Sequence, residues 1–346
     1  MVGKSSSAFA SSPVTLGLEK TPMVRSIFAA AIVTAVSSIA TQSLAQTYPT
    51  RPVRVIMPIP VGSGLDIVTR VLAEELGSRL GQQIVVENRP GGGGLIATQA
   101  VTAAAPDGYT LLGAAGSIWL ILPAQKEKLP IDVNRDLVPI GVIAGGPMTL
   151  AVSPKLGVAS MQEFIALARS QPQKIVVGTN GAGTLPHFAA LVLAMKADIP
   201  ITVLPYSTGG TSEAIRDIMG GRIHATVEAA FGLRAPLQSG ELKLIGVLAT
   251  ERDRLFPSVP TMAETVPGLS LNSSFTALAA PAATPNDIVQ RLSDGLTHAL
   301  RTARVQARFT DLGMETRIMS PPETKLAIER AQKDWWPLVA ATSRKQ

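Results

Sequence analysis

The 346-residue chain has no cysteine, so disulfides, thiolate zinc sites and a cysteine nucleophile are excluded at the outset. Aromatic residues make up only 4% of it, and its basic residues are scattered despite a formal net charge of +6. Without a basic patch or stacking platforms, nucleic acid is not an expected partner. The three histidines, His187, His224 and His298, lie far apart and show no HExxH spacing, so they read as structural or surface residues and no metal site is expected. No GxSxG elbow is present, and no glycine-rich turn ends in Gly-Lys-Ser/Thr or has the GxGxxG spacing. The signatures of α/β-hydrolase, P-loop and dinucleotide chemistry are therefore missing, and no cofactor is expected. Past the N-terminal stretch, no apolar run reaches the ~20 residues needed to cross a bilayer.

What is present fits a folded, loop-rich α/β protein. The chain is 46% hydrophobic and 16% charged, with 30 glycines and 26 prolines, a balance unlike that of disordered or coiled-coil chains. Its length allows two domains, each with its own core. Near the start, Arg25 precedes an alanine-rich apolar run from Ile27 to about Ala40, and Ser43-Leu44-Ala45 places small residues where a signal peptidase reads. This pattern predicts a secretory signal over residues 1–45, cleaved near Ala45, and export. Met23 is a candidate true start, because residues 1–22 would make a long and weakly basic leader.

From Pro52 onward the pattern alternates between strand and helix. PVRVIMPIP is a β-branched run closed by prolines, and the next segment places Ile67, Val68, Val71, Leu72, Leu76 and Leu80 on one helical stripe that Gly81 ends. QIVVENR, a small-residue helix and PDGYTLLGAAG follow, completing two βαβ units and implying a parallel sheet. After an irregular stretch the pattern resumes: strand PIGVIAGGPMTLAVSP, a helix opened by Ser160 with Glu163 three residues on, strand KIVVGTNGAG, a helix from about Pro186, then strands ITVLPY, RIHATVEA and KLIGVLAT. SFTALAAPAATP reads as a strand leaving this second domain, and the remainder is mostly helical, with Trp335 and Trp336 on the last helix.

Two strand-to-helix turns carry the candidate chemistry. Backbone N–H groups can wrap an anion only where small residues allow close approach, and the following helix N-terminus adds unpaired donors and a favourable dipole. Pro60, Val61, Gly62, Ser63 and Gly64, with Asp66, form one such turn; Thr179, Asn180, Gly181, Ala182, Gly183 and Thr184 form the other. Read singly, each is equally an ordinary βα turn with Asp66 or Thr184 as a helix cap. Facing each other in two α/β domains, they would line a cleft with anion donors on both walls.

The run RPVRVIMPIPVGSGLDIVTRVLAEELGSRLGQQIVVENRPGGGG, then AAAPDGYTLL, GTNGAGTLPH, VLPY, IRDIMGGRI and ELKLIGVLATERDRLFPSVPTMAE, resembles the substrate-binding proteins of tripartite tricarboxylate transporters, the Bug-type receptors, over essentially the whole chain after the leader. The resemblance implies an α/β, type II periplasmic-binding-protein fold. Its two lobes, residues 46–145 with 275–346 and residues 146–274, would close on a small carboxylate: a di- or tricarboxylate, an acidic amino acid or an aromatic acid. It implies no catalysis, a monomer, and delivery to a membrane permease or, as an alternative, to a sensor kinase. Carried onto this chain, it places His187 with the second loop and Ser117 in the cleft. Where the family has a basic residue and glycine after Pro205-Tyr206, this chain has Ser207-Thr208, so Tyr206 and Ser207 become candidate contacts and a basic contact to a second carboxylate is expected to be missing. Glu228 falls near a ligand-facing acidic position of some members, which would favour an amine or hydroxyl beside the carboxylate. Trp119 would stack on an aromatic acid. For an enzyme on the same fold, Asp66, Glu228 and His187 are the available acid or base groups.

Overall fold

The computed structural model describes residues 48–125, 129–206, 210–271, 275–314 and 316–343. The leader, Ser207 and Thr208 lie outside these residues. In chain order the elements are β1 (Val53–Met57), α1 (Gly64–Leu80), β2 (Ile84–Asn88), α2 (Leu95–Thr102), β3 (Thr110–Ala115), α3 (Gly116–Leu120), α4 (Val133–Asp136), β4 (Leu137–Gly145) and β5 (Met148–Val152). They continue with α5 (Met161–Ser170), β6 (Val176–Thr179), α6 (Leu185–Ala197), β7 (Thr202–Pro205), α7 (Gly210–Met219), β8 (Ala225–Ala229), α8 (Arg234–Gln238) and β9 (Lys243–Leu248). The last are β10 (Phe275–Pro281), α9 (Asn286–Arg301), α10 (Ala303–Asp311) and α11 (Pro321–Ser343). The expected helix stops and starts reflect local chemistry. Gly81 ends α1 in a left-handed conformation, and Ser160 caps α5 by accepting from the Glu163 N–H.

Two five-stranded sheets define two lobes. One has the order β2-β1-β3-β10-β4 and the other β7-β6-β8-β5-β9. Each is parallel except for its fourth strand, and that strand arrives from the opposite lobe: β10 runs antiparallel to β3 and β4, and β5 runs antiparallel to β8 and β9. β4 leaves the first sheet at Gly145, paired with Phe275, and after two residues β5 enters the second at Met148, paired with Ala229 and Leu248. The short crossing sets the C-terminal edges of the parallel strands of both sheets against one another. That is the edge at which open α/β sheets bind ligands.

The inner strands are buried on both faces, as expected of sheets between helices, whereas the edge strands β2 and β7 are partly exposed. Every residue of β5, β8 and β10 is buried. One apolar cluster joins the lobes: Ile118 and Trp119 of α3 belong to the same core as Leu185 and Phe188 of α6. α11 packs on β4 and α3 and also on α6, so the C-terminal helix touches both lobes instead of lying on the first alone. Its Trp335 is fully buried. Trp119 is 1% exposed, its carbonyl accepts from Gln332 of α11, and its ring is core. The expected stacking surface is therefore absent there, because α11 covers α3. None of the helices among the described residues is long and apolar enough to cross a membrane.

Packing inside the first sheet is tight at Gly113, where an added Cβ would lie 1.9 Å from Sδ of the fully buried Met57. Gly113→Ala is expected to cost ~1–3 kcal/mol through overpacking, read as a lower urea midpoint with an unchanged m-value; an unchanged midpoint contradicts this packing.

Candidate functional site

The first-lobe turn is built around Asp66, which lies in the first turn of α1 and is 1% exposed. Its carboxylate accepts from the Gly62 N–H at 2.9 Å, from Arg70 Nε at 3.1 Å and from Asn88 Nδ2 at 2.9 Å. Asn88 Nδ2 also donates to the Ile59 carbonyl, and Arg70 Nη2 donates to Asn88 Oδ1. Burial alone would raise the pKa of Asp66, but donation from Arg70, Gly62 and Asn88 outweighs it and holds the pKa below the ordinary value. The helix cap is Ser63, whose Oγ accepts from the Asp66 N–H, and not Asp66 as the sequence suggested. The Asp66 carboxylate is turned inward. Every acceptor position it has is drawn into the turn, and it fixes Gly62, at φ +81°, against β2. The Gly62 N–H is likewise engaged, Pro60 is exposed, and Val61 projects into solvent with 72% of its surface exposed. What this turn retains for an anion is the Ser63 hydroxyl proton and the N–H groups of Gly64 and Leu65, which begin α1 and have no intrahelical acceptor.

The second-lobe turn is organised differently. Thr184 caps α6: its Oγ1 accepts from the His187 N–H at 3.4 Å and donates to the Gly181 carbonyl at 2.8 Å. Its one proton is committed to the turn, so this hydroxyl has none to donate to an anion. Pro186 follows at the helix start and has no N–H. The exceptions are three neighbouring side chains. Thr179 is 0% exposed and its Oγ1 has no hydrogen-bond partner; Asn180 Oδ1 and His187 Nδ1 are also buried and unpartnered. Buried polar atoms are nearly always paired, and leaving one unpaired costs about 1–3 kcal/mol. Burial lowers the His187 pKa, so the imidazole is neutral at pH 7 and its Nδ1 can donate or accept. Threonine hydroxyls and asparagine amides likewise carry both capacities. Thr179 Oγ1 and His187 Nδ1 can each donate, Asn180 Oδ1 as placed accepts, and at the α6 N-terminus the Leu185 N–H has no intrahelical acceptor.

The two turns meet. A Cβ on Gly93, which follows β2 at φ +61°, would stand 3.0 Å from the Gly183 carbonyl oxygen across the lobes, and Leu185 Cδ2 would lie 3.2 Å from a Cβ on Gly116. Ser117 is buried beside this contact in α3. On another side Arg234 of α8 donates to the Thr310 carbonyl at the end of α10 at 3.0 Å, a favourable place for a cation. The lobes are in contact at these points.

Two further candidates have other roles. The Tyr206 hydroxyl donates to Asp217 Oδ2 at 2.6 Å, and burial followed by the Asp217 carboxylate pushes its pKa up. Its ring lies against Gly178 in the core under α7. Tyr206 therefore braces α7 through its hydroxyl; Asp217, 11 residues further along the chain, was the partner that sequence reading missed. Glu228 closes β8 and is buried; Thr211 donates to its Oε2 at 2.6 Å and the Ala229 N–H to its Oε1 at 2.8 Å. Burial dominates these two donors and raises its pKa to about 7.

No group of three or more potential metal ligands occurs among the described residues. An open depression of about 570 Å³ lies beside Arg135 and Pro281, at the edge where β4 begins and β10 ends, opposite the turns. It is solvent-exposed surface and contains none of the unpartnered atoms.

Fold and site together define a two-lobed α/β binding protein whose facing strand ends present hydrogen-bond donors without catalytic partners. Residues 68–343 match the family of the tripartite tricarboxylate transporter family receptor. The chain belongs to this family. Protein BugT of Bordetella pertussis is 32% identical over 93% of this chain and 99% of its own length. Among solved structures, a Rhodopseudomonas palustris protein, Rpa4515, solved with adipate, superposes with a TM-score of 0.78 at 29% identity over 85% of this chain and 98% of its own. MatC of the same organism, with bound malate, gives a TM-score of 0.77 at 28% identity over 84% of this chain and all of its own. The periplasmic binding protein BugD gives 0.77 at 26% identity, over 86% and 99%.

Two stability effects follow from the titrating groups. Asp66, with a lowered pKa, stabilises the fold above its ordinary pKa near 3.8, and this contribution is lost as the pH falls through the depressed value. Asp66→Ala is expected to cost about 2 kcal/mol at pH 7, and thermal melting should show the gap closing towards pH 2. Glu228 has the opposite sign. Its folded value of about 7 exceeds the ordinary 4.5, so its cost enters as the pH rises from 4.5 through 7 and is roughly 3 kcal/mol above that. Glu228→Gln should melt at a higher temperature than the wild type at pH 8 and at an equal temperature at pH 4.5; a gain of the same size at both pH values contradicts a buried, titrating carboxyl.

Proposed function

We propose that this protein is an exported solute receptor that captures a small carboxylate between its lobes and hands it to a permease of the tripartite tricarboxylate type, without covalent chemistry. The observation that carries the reading is the cluster of unpartnered buried atoms, Thr179 Oγ1, Asn180 Oδ1 and His187 Nδ1, at the C-terminal edge of the second sheet. A carboxylate has two oxygens with about four acceptor positions, which the Thr179 hydroxyl, the His187 imidazole N–H and the amide nitrogen of Asn180 can supply without a cationic side chain. The helix N-termini of α1 and α6 add dipoles of the right sign. Relatives solved with adipate and malate support the ligand class, and the family description supports delivery to a transporter. Ser117 and the Ser63 hydroxyl are the proposed contacts from the first lobe, with Gly64 and Leu65 donating from the backbone. Periplasmic export rests on the leader pattern and on relatives described as periplasmic.

Closing the lobes on a ligand would bury it and free the turn from its unpaired atoms, so binding should stabilise the protein strongly. In a thermal-shift screen of mono-, di-, tri- and aminocarboxylates, a ligand at 100 times its Kd is expected to add about 2.7 kcal/mol, and one or more acids should raise the melting temperature by several degrees. Thr179→Val keeps the shape and removes the hydroxyl; it should weaken the best ligand about 10–100-fold, since a hydrogen bond to a charged group contributes ~1.5–3 kcal/mol. No shift with any carboxylate, or unchanged affinity in Thr179→Val, contradicts the reading.

A further inference from the structure

Where the two turns meet, the lobes touch backbone to backbone. β2 is followed by four successive glycines, Gly91 to Gly94, with φ of +126°, +57°, +61° and +104°. The run descends into the protein: Gly91 and Gly92 are exposed, Gly93 is half-buried and Gly94 is buried. It is anchored to the first lobe, since the Gly94 N–H donates to the Gly91 carbonyl at 3.0 Å and a Cβ on Gly94 would stand 2.7 Å from Ile118 Cγ1 of α3. The second-lobe turn descends beside it in the same way, from exposed Ala182 through half-buried Gly183 to buried Leu185. The two runs make contact at the surface, where a Cβ on Gly93 would lie 3.0 Å from the Gly183 carbonyl oxygen, and one on Gly183 would lie 3.8 Å from Gly93 Cα and 3.6 Å from Gln125 Nε2 of the first lobe. Thr179 and Asn180, with unpartnered buried atoms, enter this turn from β6, and His187 leaves it on α6.

Two backbones approach this closely only where neither carries a Cβ in the way. The neighbouring glycine supplies the contrast. Gly92 has nearly the same φ as Gly93, but a Cβ there would meet only Leu95 Cβ of its own loop, at 3.3 Å. Alanine carries the same left-handed backbone penalty at both positions, and only at Gly93 does it press on the other lobe. On the reading that the lobes close on a carboxylate, we propose that the Gly93–Gly183 seam is the gate through which the ligand passes, and that Gly93 sets how far the lobes close. A methyl group at Gly93 holds the seam apart, so a bound acid escapes faster whatever its structure beyond the carboxylate.

Because the chain has no cysteine, the double variant Gly93→Cys with Gly183→Cys reports the seam directly, the two positions being close enough for a disulfide. In the ligand-free mature protein the pair is expected to oxidise, read by mass spectrometry as the loss of two hydrogens. The oxidised protein should then show no thermal shift with succinate, malate, glutamate or adipate, and reduction should restore the shift that the wild type shows. Gly93→Ala should weaken the best of these acids about fivefold or more, mainly through faster dissociation, while Gly92→Ala stays within about twofold of the wild type. These two alanine variants carry the test if the cysteine pair does not fold. A folded pair that does not oxidise overturns the proposal, as does an oxidised protein that still takes up acid, or equal affinities for Gly93→Ala and Gly92→Ala. The crosslink is read without ligand, so a pair that oxidises in a protein whose wild type responds to no carboxylate supports the seam and overturns only the carboxylate reading.

Discussion

The arrangement depends on one constraint: each sheet takes its antiparallel strand from the lobe the chain has just left. Because β4 passes into β5 within two residues, at Gly146 and Pro147, and β10 returns to lie between β3 and β4, the two sheets cannot drift apart or rotate freely. Their C-terminal edges face one another, and so do the turns that leave those edges. A parallel sheet leaves βα turns at that edge in any case. The strand exchange turns two independent sets of turns into the walls of one cleft.

Within that frame the two walls achieve different things. The first-lobe turn is internally satisfied: Asp66, Asn88, Arg70, Gly62 and Ile59 form a closed network that fixes the shape of the loop and leaves mainly helix-terminal N–H groups outward. The second-lobe turn is satisfied only as far as Thr184 reaches, and beyond it three side-chain atoms remain unpaired. A rigid wall with a fixed dipole opposite a wall with unmet hydrogen bonds is a division of labour suited to capture by closure, since an inserted anion removes the cost of burying the Thr179 hydroxyl and the His187 nitrogen.

Much of this was legible in the sequence. The β-branched runs and glycine-rich turns placed β1, β2, β3 and β6, and the absence of nucleophile, P-loop and metal spacings directed attention to donors instead of catalysts. The sequence singled out the two loops, but not which polar atoms within them are engaged in shaping the turns. A capping residue and a ligand-facing residue are both small and polar, so the sequence suggested Asp66 as the cap that Ser63 provides, and it gave Thr184 to the ligand although its hydroxyl serves Gly181 and His187. The Tyr206 hydroxyl has its partner on α7, and Trp119 lies beneath a helix more than 200 residues later in the chain; no local pattern encodes either contact. His187, the least supported candidate from spacing alone, has the burial and the unpaired nitrogen that local sequence does not report.

The most direct test is a crystal structure of the mature protein with the best-binding carboxylate. The account predicts a ligand carboxylate oxygen within hydrogen-bond distance, about 3 Å, of Thr179 Oγ1, with the Asn180 amide or His187 Nδ1 completing its coordination. A ligand carboxylate seated elsewhere, with those three atoms still unpartnered, would contradict it.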